Sequence, residues 1–124
     1  MSNGQMMNLD IQCAELGRKL ADIPNMEEKI LNAALTVLEE QGPYAMFLYL
    51  RARHSNVAKH INSDSLKFLQ AVLNNKLNGV NGGVLEAVKR LAEDPDDLLF
   101  ARDLLRMALS YARYHLKAKS GGSS

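Results

Sequence analysis

Apolar residues return every three or four positions along most of this chain, and that rhythm predicts helices from end to end. Leu9, Cys13, Leu16, Leu20 and Ile23 form the first stripe, with residues 1–7 frayed ahead of it and Asn8 as its N-cap. Gly17 interrupts this stripe. A glycine inside a helix costs ~1 kcal/mol against alanine, so a close approach is expected there. Pro24 ends the helix. Asn25 then caps the next one, with Glu28 in capping-box position and Ile30, Ala33, Ala34, Val37 and Leu38 on the buried face. Gly42 and Pro43 suit the end of that helix and the first position of the following one. Residues 44–50, Tyr-Ala-Met-Phe-Leu-Tyr-Leu, have no polar side, which predicts a helix buried on several faces. It runs into Arg51, Arg53 and His54.

Ser55 or Asn56 opens a short helical turn through Val57, Ala58 and Ile61. Ser63 or Asp64 opens a separate helix carrying Leu66, Leu69, Leu73 and Leu77. Asparagines and glycines from Asn74 to Gly83 break regular structure. Val84, Leu85, Val88 and Leu91 predict about three turns of helix. Asp94-Pro95-Asp96-Asp97 is a turn and N-cap for the longest helix, over residues 97–118. No segment alternates with period two, so the expected fold class is all-α: a single compact bundle of about six helices over residues 8–118, closed by a long C-terminal helix. Residues 119–124, ending Ser-Gly-Gly-Ser-Ser, read as a flexible, linker-like tail.

Composition changes this picture little. The chain has 124 residues, an apolar fraction of 47% and a formal net charge of +1, ordinary values for one globular domain. The lone Cys13 excludes an intrachain disulfide and suits a reducing cytoplasm. No apolar run approaches the length of a membrane span, so no membrane role is expected.

Charge distribution is more informative. Residues 1–50 carry three Lys/Arg against seven Asp/Glu, a balance of −4. Residues 51–90 carry seven against two, a balance of +5. Catalytic patterns are absent: His54, His60 and His115 lack metal-ligand spacing, and Asn-Gly-Val-Asn-Gly-Gly lacks the lysine and preceding strand of a phosphate loop. No enzyme activity, cofactor or metal is expected.

Two basic features remain. Arg51, Arg53 and Lys59 belong to a span from Glu40 to Glu86 that holds a single internal acid, Asp64. On the last helix, Arg102, Arg106, Arg113 and Lys117 fall within about 60° of arc at about 100° per residue. The plain explanations are cations matching a helix C-terminus and a solvated amphipathic face. The functional one is a surface that follows a phosphate backbone, for which arginine's planar fork is suited. Tyr111 and Tyr114 lie near the second strip. Leu98, Leu99 and Phe100 exceed what one buried face needs, which points to a protein contact or to closure of one end of the core. An acidic front and basic middle also suit stacking of identical copies.

Glu28-Lys29-Ile30-Leu31-Asn32-Ala33-Ala34-Leu35 is similar to the first helix of TetR-type repressors. The apolar residues that follow Gly42 cannot lie in a DNA groove, which sets that family aside. A closer layout is carried by Asn8-Leu9-Asp10-Ile11-Gln12-Cys13-Ala14-Glu15-Leu16, by residues 34–42, by Ala45-Met46-Phe47-Leu48-Tyr49-Leu50 and by Ala101-Arg102-Asp103-Leu104-Leu105-Arg106-Met107-Ala108. This order resembles the small all-helical subunit of the type III-B CRISPR effector complex, the Cmr small subunit.

The resemblance implies a non-catalytic structural subunit of an RNA-guided antiviral complex, with other subunits and the guide or target RNA backbone as partners and with self-stacking of copies. It implies phosphate contacts from Arg51, Arg53, Lys59, Arg102, Arg106 and Arg113, without a cofactor. The alternative is a helical protein–protein adaptor or homo-oligomeric scaffold with no nucleic-acid role.

Overall fold

In a computed structural model, residues 2–121 are described, with side chains described from Asn8 onward. Among the described residues there are seven helices and no strand: α1 (Ser2–Ala21), α2 (Glu28–Gln41), α3 (Pro43–Arg53), α4 (Ser55–Val72), α5 (Asn74–Leu77), α6 (Val84–Leu91) and α7 (Pro95–Gly121). The all-α bundle with a long last helix is therefore the observed architecture.

α7 is the spine. α1 runs parallel to it: Cys13 meets Leu104, Gly17 meets Ala108 and Ala112, and Asp22 meets Lys119. α2 runs antiparallel on the neighbouring side, with Glu28, Asn32 and Glu39 against Lys117, Arg113 and Arg102. α3, α4 and α6 close the core around Phe47, which is fully buried with Met46 and Leu50. Burying such a side chain contributes about 2–3 kcal/mol before entropy is counted.

Gly17 is the close approach that its position predicts. An added Cβ would lie 2.6 Å from Tyr111 Cβ and 2.7 Å from the Ala108 carbonyl oxygen. The missing side chain lets two helices cross nearly backbone to backbone. Cys13 fills the same seam: it is fully buried, and its thiol approaches the Leu104 carbonyl at 3.6 Å. Burial pushes its pKa up to about 11, with the Asp10 charge adding to the shift, so it is an inert thiol at neutral pH.

Several sequence expectations need correction. The first helix begins at Ser2, so residues 2–7 are helical rather than frayed, and Asn8 lies inside α1 instead of capping it. Asn25 is no N-cap either. It takes a left-handed conformation, φ 70°, in the turn before α2, whose flanking residue Glu27 makes no side-chain cap. α3 is not surrounded: it buries Pro43, Met46, Phe47 and Leu50 but exposes Tyr44 and Leu48.

The two helices expected on either side of Ser63 are one continuous helix, α4. Its buried positions Val57, Ala58, Ile61, Ser65, Phe68 and Leu69 keep one helical stripe straight through Ser63 and Asp64. Asn74–Leu77 makes a single helical turn before the loop, in which Gly79 and Gly82 have positive φ. The last helix starts at Pro95 and reaches Gly121, so residues 119–121 are helical rather than tail. Residues 122–124 of the expected tail lie outside the described residues.

Candidate nucleic-acid interface

The six cations singled out by the sequence fall into two environments. Arg102, Arg106 and Arg113 share a face of α7, as their spacing predicts. That face looks into the seam with α2, and each side chain holds an acceptor there or beside it. Arg102 donates to the Glu39 carbonyl oxygen at 2.9 Å. Arg113 donates to Asn32 Oδ1 at 3.0 Å. Arg106 pairs with Asp103 at 3.1 Å, and Lys117, the fourth cation of the strip, lies 3.6 Å from Glu28.

These contacts have a structural purpose. The last four carbonyls of a helix lack partners inside it. Glu39 supplies one such carbonyl at the end of α2, and Arg102 satisfies it with a cation that also suits the negative end of the helix dipole. Lys119 does the same for α1. Arg18 and Lys19 carbonyls accept from the Asp22 N–H at 3.0 and 3.2 Å, the Leu20 carbonyl accepts from the Ile23 N–H, and the Ala21 carbonyl accepts from Lys119 Nζ at 3.3 Å.

Arg51, Arg53 and Lys59 are different. All three are exposed, and none has an ion-pair or hydrogen-bond partner among the described residues. Arg51 and Arg53 occupy the last turn of α3, and Lys59 the second turn of α4. His54 joins the two helices. Its ring stands edge-on to Tyr49, with centroids 5.8 Å apart, and its backbone both closes α3 and opens α4. The residue at the start of α4 makes no side-chain cap. The negative end of the α3 dipole and the positive end of the α4 dipole therefore meet at His54, beside three cations without an acidic partner among the described residues.

Continuity of α4 extends this corner. Asn56, Lys59, His60, Ser63, Lys67 and Gln70 are all exposed and lie within about 100° of arc on its outer side. Asp64, half-buried, sits at the edge. Lys67 also has no hydrogen-bond or ion-pair partner among the described residues, whereas the remaining cations of residues 51–90 are taken: Lys76 by Asp97, Lys89 by Glu86 and Arg90 by Glu93. The positive surplus of the middle of the sequence thus concentrates on the α3–α4 corner and the outer face of α4. Lys67 and His60 belong to the basic span of the sequence, but the expected helix break at Ser63 separates Lys67 and Gln70 from Lys59, so the sequence does not align them on one face. The i, i+4, i+8 register of Lys59, Ser63 and Lys67 was the signal available.

No hydrogen bond or ion pair among the described residues joins Arg51, Arg53 or Lys59 to the strip on α7. The outer face of α7 carries a separate feature: Leu99, Phe100, Met107 and Tyr114 are large apolar side chains left exposed. Leu98, by contrast, packs against the core.

Among the described residues, no three His, Cys, Asp or Glu side chains gather closely enough to hold a metal ion, and no helix is long and apolar enough to cross a membrane. A surface of this kind can neutralise and orient an anion. Set against protein-family models, curated proteins and solved structures, the chain matches none of them.

Proposed function

We propose that this protein is a non-catalytic helical subunit that holds RNA by its phosphate backbone, without regard to base sequence, along the α3–α4 corner. The observation that carries the reading is the set of cations Arg51, Arg53, Lys59 and Lys67, none with an ion-pair or hydrogen-bond partner among the described residues, near exposed amides, hydroxyls and an imidazole and with Asp64 as the acid at the edge. Charged side chains on a monomer surface that serve stability alone tend to find acceptors within the protein, as the strip on α7 does. A surface with a clear positive excess is instead a field that gathers anions. Amide and hydroxyl groups between the lysines add hydrogen bonds to phosphate and sugar oxygens.

The layout shared with small subunits of type III-B CRISPR complexes supports the same reading. On it, the protein belongs to an RNA-guided antiviral assembly in the cytoplasm, where copies stack along the guide or target RNA. Other subunits would meet the exposed Leu99, Phe100, Met107 and Tyr114 on α7.

Fluorescence anisotropy of a labelled RNA tests the reading. Binding is expected to weaken steeply as salt rises, because neutralising phosphates releases condensed counterions. Arg51→Glu with Arg53→Glu is expected to lower affinity at least ten-fold at low salt, since each new carboxylate turns an attraction to phosphate into a repulsion. Binding that is indifferent to salt, or unchanged in the double variant, would refute it.

A further inference from the structure

The outer face of α3 carries two side chains, Tyr44 and Leu48, that neither folding nor phosphate binding uses. Tyr44, Leu48 and Arg51 follow one another at i, i+4 and i+7, on one line of the helix about 10 Å long. Pro43, Met46, Phe47 and Leu50 already supply the buried face. Tyr44 is left 39% exposed and Leu48 46% exposed. The Tyr44 hydroxyl has no hydrogen-bond partner among the described residues.

The other tyrosines are placed differently. Tyr111 donates to Asp10 at 2.9 Å, and Tyr49 packs on the His54 ring. Tyr114 is exposed on α7, but the cations around it already hold protein acceptors. Among the described residues, Tyr44 alone combines an open ring with an uncompensated arginine in line on the same helix.

We infer that Tyr44 and Leu48 form a stacking platform for nucleobases, and that the RNA taken by the α3–α4 corner is single-stranded. The inference rests on the reading of that corner as a phosphate-binding surface. A duplex hides its base faces in the stack and offers a protein only phosphates, sugars and groove edges. An exposed aromatic and aliphatic row leading into Arg51 matches instead a strand whose bases are splayed. The base lies on Tyr44 and Leu48, and the adjoining phosphate reaches Arg51. Charge favours this occupant over another protein surface of mixed sign, because the row ends in a cation that lacks an acidic partner among the described residues. Stacking accepts every base, so the platform adds affinity without sequence preference.

The test compares an unstructured RNA of about 20 nucleotides with a duplex of the same length. The single strand is expected to bind more tightly. Tyr44→Ala is expected to weaken single-strand binding roughly ten-fold and to leave duplex binding and the salt slope unchanged, which also shows that the variant is folded. Tyr44→Phe keeps the ring and should keep the affinity. With four tyrosines and no tryptophan in the chain, tyrosine emission is readable directly. Part of it should quench on single-strand binding, and Tyr44→Phe should remove that part.

Equal binding of both RNAs, with Tyr44→Ala weakening neither, would overturn the platform while leaving the phosphate-binding corner intact. Failure of any RNA to bind would remove both. A change in oligomeric state on Tyr44→Ala, with RNA binding untouched, would assign the row to a protein contact and also overturn the inference.

Discussion

Gly17 shows how much one absent side chain sets in this fold. Helices whose backbones approach this closely need a residue without a Cβ at the crossing, and two of the atoms that an added Cβ would strike belong to the backbone of α7. Backbone cannot rotate away as a side chain can. Gly17→Ala should therefore destabilise the protein by ~2 kcal/mol net, the strain of overpacking outweighing a helix-propensity gain of up to ~1 kcal/mol. Urea unfolding checks this, and a more stable variant would mean that the crossing is looser than it stands. This residue was legible in the sequence, since a glycine amid a clean apolar stripe is locally unfavourable and needs a reason. Asn25 was not. Its side chain can cap a helix or tolerate positive φ, and the choice depended on where the chain had to turn after Pro24.

Between elements, α7 acts as the cap of its neighbours. Arg102 closes α2 and Lys119 closes α1, each from a position distant in sequence from the helix end it serves. The same Lys119 ammonium donates to Asp22 at 3.0 Å and holds that carboxyl below its ordinary pKa, with Arg18 and His115 adding smaller effects. Glu15 is likewise lowered, chiefly by its hydrogen bond from Arg18. A carboxyl whose pKa is lower in the folded state stabilises above its unfolded pKa, and that contribution is lost as pH falls through the lowered value.

Lys119→Met should thus reduce the melting temperature by a few degrees at pH 7. The gap from the parent should narrow as pH drops from about 5 to about 3. Thermal melts across that range measure it; a gap independent of pH would mean that the carbonyl contact alone matters. Such long-range capping cannot be read from spacing. Residues 119–121 read as the start of a linker because no apolar periodicity runs through them in the sequence. The merging of α4 was equally hidden: Ser63 and Asp64 are good caps in isolation, and burial of Ser65, Phe68 and Leu69 against the rest of the bundle keeps the helix running. The periodicities of α1, α2, α6 and α7 identified those helices, although the bounds of α1 and α7 run further than the spacing predicts.

Over the whole molecule, a net charge of +1 conceals two kinds of cation. Those of α7 face acceptors on other helices and on α7 itself, whereas those of the α3–α4 corner face water. Sequence spacing offered both as candidate phosphate contacts without placing them on one face, because an arginine that caps a neighbouring helix and one that awaits a phosphate look alike until their acceptors are placed. The division has a consequence that substitution can separate. Replacing Arg102 and Arg113 by methionine keeps most of the aliphatic bulk and removes two hydrogen bonds between helices, each worth about 1 kcal/mol. The double variant should lose roughly 2 kcal/mol of unfolding free energy, by urea titration, while its RNA affinity falls less than about three-fold at low salt. Arg51→Glu with Arg53→Glu should do the opposite: stability close to the parent, because neither side chain holds a partner among the described residues, and a large loss of RNA binding. Should the methionine pair instead abolish RNA binding at full stability, the seam between α2 and α7 would be the nucleic-acid surface, and the corner would be no more than a solvated turn.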